Sequence, residues 1–169
     1  QPINFKKLKK KVALFFGGKS SEFEVSLNSA SNIYNAFDID KFDVLLIGID
    51  KNGNWFYNPN YPKFNISLPT NNFFTNANPI IVIKQQNQIC ILNTETFERY
   101  ETFDVAFSII HGTFGEDGTL QGYFKTLNIP FVGPDVLGSA LCMDKEITKR
   151  ILRDNQIPIY KKSRILFWI

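Results

Sequence analysis

The sequence predicts an α/β fold: a mostly parallel sheet with helices on both faces and an inserted hairpin region. Three observations carry this. Apolar runs at residues 11–16, 42–49, 103–110 and 129–132 are short and continuous, the pattern of strands buried on both faces. Between them lie stretches with apolar residues at steps of three and four, the helical period. Glycines punctuate the junctions. The 169 residues are 44% hydrophobic and 21% charged with a formal charge of +3, a globular composition. A domain of this length buries about 70% of its unfolded surface.

Residues 11–16 (KVALFF) form a buried strand that ends at Gly17-Gly18. Ser21 and Glu24 follow with the S-x-x-E spacing of a capping box. Phe23, Leu27, Ala30, Tyr34 and Phe37 then share one helix face. Residues 42–49 (FDVLLIGI) return as a second buried strand, completing a strand–helix–strand unit.

The middle differs in texture. Asn52-Gly53 is a strong hairpin signal, and residues 58–79 are rich in Pro and Asn with little regular structure expected. Residues 80–83 and 89–92 flank "KQQNQ" as a second hairpin or as two edge strands. A strand over 103–110 (FDVAFSII) runs into "HGTFGEDGTLQG", with a short helix predicted over 119–127. A strand over 129–132 closes at Gly133-Pro134. The pattern then turns helical from Asp135, with an amphipathic helix over 145–155 ended by Pro158. Residues 165–169 (ILFWI) begin a strand that is either terminal or the start of a further unit.

Composition narrows the function. Lys6, Lys7, Lys9, Lys10 and Lys11 form a short basic lead that reads as a solvated arm, not a nucleic-acid surface. Cys90 and Cys142 lack metal-ligand spacing and are expected as reduced thiols. No apolar run approaches the roughly 18 residues of a spanning helix, and the first residues lack a signal-peptide layout. A cytoplasmic protein that binds neither membrane nor nucleic acid is expected.

Ligands of open α/β sheets sit outside the carboxyl ends of the strands. Two glycine-rich loops with acidic residues occupy that location, after residue 16 and after residue 110, and Glu22, His111, Glu116 and Asp117 converge if their strands are neighbours. "GGKSSE" fits neither G-x-x-x-x-G-K-[ST] nor G-x-G-x-x-G. Glu22 is either a first-turn acid serving the helix dipole or the receptor of a cationic group such as an ammonium. His111, the single histidine, is either a satisfied structural group or a ligand contact, with Gly112, Gly115 and Gly118 allowing close approach. Asp117 also suits a helix cap. Lys145 opens a helix, where its charge opposes the dipole unless it faces a phosphate.

Taken together, "FFGGKSSEFEVSLNSA" and "HGTFGEDGTLQGYFKTLNIPFVGPDVLGSALCMDK" resemble the D-alanine–D-alanine ligase family over nearly all of residues 11–160. The stretch "IGIDKNGNWFYN" looks like the longer forms, which include D-Ala–D-lactate and D-Ala–D-Ser ligases. The resemblance implies an ATP-grasp enzyme preceded by a Rossmann-like (pre-ATP-grasp) domain. Residues 1–10 are then a basic lead, 11–135 the Rossmann-like substrate domain, and 136–169 the start of the central domain. The implied reaction phosphorylates a D-alanine carboxylate with ATP and Mg2+ (or Mn2+); a second D-alanine attacks, giving the dipeptide for peptidoglycan. Glu22 matches the glutamate that binds the first substrate's ammonium, and His111 the histidine beside its carboxylate. Lys145 matches a nucleotide-phosphate lysine, and Glu116 takes a supporting role. D-alanine and ATP are the implied partners, in a homodimer. The family's metal ligands and the arginine of its tetrahedral intermediate have no counterpart in this sequence. Ligation is therefore expected of a full-length protein and not of these 169 residues alone. The alternatives are a non-catalytic truncated domain or dimerisation module, or, in a full-length protein, a D-Ala–D-Ser or D-Ala–D-lactate ligase.

Overall fold

A computed structural model describes residues 9–61 and 70–160. Most of the basic lead and the closing apolar run at 165–169 lie outside the described residues. Strand β1 (Lys10–Gly17) leads through α1 (Phe23–Ala36) to β2 (Phe42–Ile49), which pairs with β1 in parallel. The chain then makes β3 (Trp55–Tyr57), a 3-10 turn (Thr70–Phe74), β4 (Asn78–Gln85), β5 (Gln88–Asn93) and β6 (Arg99–Phe103). It returns to β1 with β7 (Val105–Ser108), and continues through α2 (Thr119–Thr126) to β8 (Phe131–Val132). Helices α3 (Val136–Met143) and α4 (Lys145–Asp154) follow.

The strand order is β6-β5-β4-β3-β2-β1-β7-β8. Strands β2, β1, β7 and β8 are mutually parallel and form the expected α/β unit, whereas β3 to β6 extend the sheet antiparallel, so the whole is mixed. The inserted hairpins are that antiparallel half. Gln86 and Asn87 connect β4 to β5 with φ of 47° and 67°, the left-handed pair that a tight hairpin turn matched to strand twist requires.

Alternation along β1 divides the core. Ala13 and Phe15 face one side with Leu120 and Phe124 of α2; Leu14 and Phe16 face the other with Phe23, Leu27 and Ala30 of α1. Helices thus cover both faces, as read from the continuous apolar strands. Phe15 is fully buried, and its ring lies 5.3 Å from Trp55, 6.3 Å from Phe103 and 5.1 Å from Phe124. Burying such a side chain contributes about 1.5–3 kcal/mol. The Phe103 contact, with the Lys11–Glu101 ion pair at 2.6 Å, shows the antiparallel half curling back so that β6 lies against β1.

Two sequence expectations need correcting. The strand read over 103–110 is two strands. Phe103 ends β6, Asp104 is the joint, and β7 stops at Ser108. Asp104 is pinned to Lys11 through both backbone and side chain: its N–H donates to Lys11 O at 2.9 Å and its carboxylate accepts from Lys11 N at 2.8 Å. That passes the chain from an antiparallel to a parallel pairing within one residue. The capping box also does not form. Glu22 caps α1 with near-helical backbone (φ −97°, ψ 22°) and makes no side-chain cap bond, while Glu24 turns to Lys51 at 3.3 Å. An N-cap side chain reaches the first turn only from extended backbone.

Candidate functional site at the strand-order switch

From β1 the chain crosses to β2 on one side, and from β7 to β8 on the other, so the strand order reverses between β1 and β7. Crossovers of one hand running in opposite directions put α1 and α2 on opposite faces. They also open a crevice at the carboxyl ends of β1 and β7, where open α/β sheets hold their ligands. The Glu22 loop follows β1 and the His111 loop follows β7. Both loops therefore stand at this crevice.

Gly17 makes the first turn possible. Its φ is +86°, and a Cβ there would meet Ile49 O at 2.2 Å. Ser20 then accepts the Glu22 N–H at 3.1 Å, which fixes the residue before the helix. Opposite, Gly112 has φ +71°, and a Cβ on it would come within 2.9 Å of Glu22 Oε2 and 3.2 Å of Ser20 Oγ. The absence of that Cβ lets the Glu22 carboxylate lie directly against the backbone beside His111.

The loop after β7 is internally braced by its acidic residues. Glu116 accepts the Gly112 N–H at 2.8 Å, and its other oxygen stands 4.0 Å from His111 Nδ1. Asp117 accepts from Phe114 N and Thr119 N, each at 2.9 Å. Burial raises the Asp117 carboxyl, but these donors outweigh it and hold it below its ordinary value. Asp117 thus satisfies the start of α2 from one residue before the left-handed Gly118 that caps it. His111 is half-buried, with Nε2 3.1 Å from Ser29 Oγ.

Three serines missing from the sequence reading build this arrangement. Besides Ser20 and Ser29, the fully buried Ser26 accepts from Gly17 N at 2.8 Å and donates to Ile109 O at 2.7 Å. One hydroxyl therefore ties the ends of β1 and β7 together. Its signal was available: position 26 lies in the core-facing stripe with Phe23, Leu27 and Ala30, and a polar group placed there needs a buried partner.

The structure brings Glu22, His111 and Glu116 together and leaves Lys145 apart. His111 and Glu116 line a cavity of ≈ 370 Å³ together with Ser139, Cys142 and Met143. Lys145 lines a different one of ≈ 320 Å³, with Thr148, Lys149, Leu152, Ile159 and Tyr160. Cys142 belongs to both walls. Lys145 stands at the start of α4, behind Asp144, whose carboxylate accepts from Glu146 N and Ile147 N. Among the described residues no group of three or more His, Cys, Asp or Glu is placed to hold a metal ion, and both cysteines are free thiols. No helix among the described residues is long and apolar enough to cross a membrane.

Comparison with known proteins gives this geometry a family. The chain is 48% identical to a D-alanine–D-alanine ligase of Oceanobacillus iheyensis over 162 residues, covering 91% of this chain and 43% of that protein. It is 42% identical to a D-alanine–D-alanine ligase of Sodalis glossinidius, covering 94% of this chain and 44% of the relative. The solved structure of the D-alanine–D-alanine ligase of Coxiella burnetii superposes with a TM-score of 0.79 at 35% identity, over 90% of this chain and 43% of that one. The VanG D-Ala:D-Ser ligase of Enterococcus faecalis superposes with a TM-score of 0.75, also at 35% identity, over 91% and 44%. The chain spans less than half the length of these relatives. The family description "D-ala D-ala ligase N-terminus" matches residues 11–134, most of the sequence, and the chain belongs to that family.

Proposed function

We propose that this chain is the N-terminal part of a D-alanine–D-alanine ligase and that its switch-point crevice receives the first D-alanine. The observation that carries the reading is the Glu22 carboxylate seated against Gly112, next to His111. An α-amino acid presents an ammonium and a carboxylate on one carbon. Glu22 receives the ammonium, and a His111 N–H meets the carboxylate that becomes activated. Fixed donors aimed at developing charge are the means by which such a site favours its transition state. Glu116 supports His111 and braces Gly112 through its N–H. The match to the family N-terminus ends at residue 134, which supports a substrate domain over 11–135 and a central-domain start from 136.

ATP supplies the phosphoryl group in such ligases, with Mg2+ or Mn2+ screening its charge. The residues present fit the phosphate part of that requirement. Among the described residues the cavity beside α4 is lined by Lys145 and Lys149 and by no carboxylate, and lysine ammonium groups suit phosphate. Among the described residues no metal-ligand set is present, so this reading assigns the ion to other parts of the full-length ligase. A cytoplasmic homodimer that feeds peptidoglycan synthesis is the setting this function implies.

Glu22→Gln in the full-length ligase tests the reading. Replacing a charge-assisted contact by a neutral one removes about 1–1.5 kcal/mol, so KM for the first D-alanine is expected to rise roughly 5- to 10-fold. An unchanged KM excludes the ammonium role.

A further inference from the structure

We infer that Glu116 sets the tautomer of His111, keeping the ring proton on Nδ1, and that Ser29 is a positioning residue that anchors the ring by donating to Nε2. A neutral imidazole has one N–H donor and one lone-pair acceptor, and its neighbours decide which nitrogen is which. The two neighbours here differ in kind. Glu116 Oε1, 4.0 Å from Nδ1, belongs to a carboxylate, which only accepts. A proton on Nδ1 points at an anion, whereas a lone pair there would face one. Ser29 Oγ, 3.1 Å from Nε2, serves as donor or acceptor and adapts to whichever state the other side selects. Both conditions are met together by Nδ1–H with the serine donating.

The helix gives the hydroxyl little freedom to leave. Ser29 lies one turn beyond Ser26 on α1, and Ser26 bonds the ends of both β1 and β7. The helix that binds the two strands together thus also holds the ring. The 4.0 Å separation exceeds hydrogen-bond length, so Nδ1–H is oriented by Glu116 without being spent on it. It remains a donor for a carboxylate in the crevice. The other tautomer would offer that carboxylate a lone pair. The functional meaning of the tautomer rests on the proposed D-alanine site, but the tautomer itself rests only on these contacts.

His111 is the single histidine of the sequence, so long-range 1H–15N correlation NMR of the 15N-labelled 169-residue chain reports its tautomer without ambiguity. The spectrum is recorded without amino acid, at a pH where the ring is neutral. The wild type is expected to show Nδ1–H in clear excess. Glu116→Gln, which removes the anion facing Nδ1, is expected to shift the ratio toward Nε2–H by about two- to fivefold. Ser29→Ala removes a partner that serves either tautomer and is expected to leave the ratio within about twofold of the wild type. Should Glu116→Gln not fold, Glu116→Asp draws the anion back from the ring and is expected to weaken the Nδ1–H preference. An Nε2–H or unbiased ring in the wild type overturns the inference, as does an unchanged ratio in Glu116→Gln. A failed Glu22→Gln test in the ligase removes the substrate reading and leaves this result standing.

Discussion

Ser26→Ala is the most direct probe of how the site is assembled. The hydroxyl is fully buried, and its removal strands two backbone groups, the Gly17 N–H and the Ile109 carbonyl. A net hydrogen bond contributes about 0.5–1.5 kcal/mol, and a buried group left unpaired costs about 1–3 kcal/mol. Alanine's better helix propensity returns about 0.5 kcal/mol. The expected net loss is therefore about 2–4 kcal/mol, a large fraction of the roughly 5–15 kcal/mol that holds a typical domain folded. In urea unfolding the midpoint should fall by about 1–2 M with the slope unchanged. Asn28→Ala, exposed on the same helix, should stay within about 0.5 kcal/mol. A loss below about 1 kcal/mol for Ser26→Ala would refute the clamp, since it would mean that both backbone groups find other partners.

Two further outcomes follow from the same geometry. Gly112→Ala places a Cβ at φ +71° and 2.9 Å from Glu22 Oε2; thermal unfolding should register about 1–2 kcal/mol of backbone strain, and Glu22 should swing away from His111. Wild-type stability in that variant would show that the turn relaxes freely. Tyr57 gives a pH signature: burial first, then the charges of Glu101 and Asp43, push its hydroxyl up to about 12 from 10.0. A pKa raised on folding stabilises the fold below pH 10.0 and loses that contribution as the pH rises toward about 12. Tyr57→Phe should therefore flatten the alkaline fall in stability, and an equally steep fall in the variant would contradict it.

How far the sequence could be read depended on whether each feature was local. Strands β1 and β2 and both hairpins were legible because continuous apolar runs and turn residues act over a few positions. The division of 103–110 was not, because "FDVAFSII" is apolar on both sides of Asp104 and the break comes from pairing with Lys11, 93 residues earlier. The capping box failed for a related reason. Its spacing was present, but Ser20 and Gly17 set the entry angle and left Glu22 with near-helical backbone. Glu22, His111 and Glu116 were visible as chemistry in loops, while the serines that hold those loops together were hidden as ordinary helix positions.

The distribution of charge bears on why a glycine-rich strand-to-helix turn here is no phosphate cradle. Such a turn, followed by a helix N-terminus, ordinarily attracts anions. In this crevice the loops carry Glu22, Glu116 and Asp117, and the Lys19 ammonium stands over the Phe114 ring at 5.7 Å from its centroid. A phosphate entering it would meet carboxylates on both loops. A zwitterion would not, because its ammonium satisfies Glu22 while its carboxylate takes the donor on the histidine side. Under the proposed function phosphate is received beside α4, where Lys145 and Lys149 line a cavity without acidic side chains among the described residues. The two cavities that carry His111 and Lys145 meet at Cys142 on the last turn of α3. Under the proposed function, that contact would hold the amino acid and the phosphate on separate, oppositely charged surfaces and still as neighbours, which transfer of a phosphoryl group to a carboxylate demands.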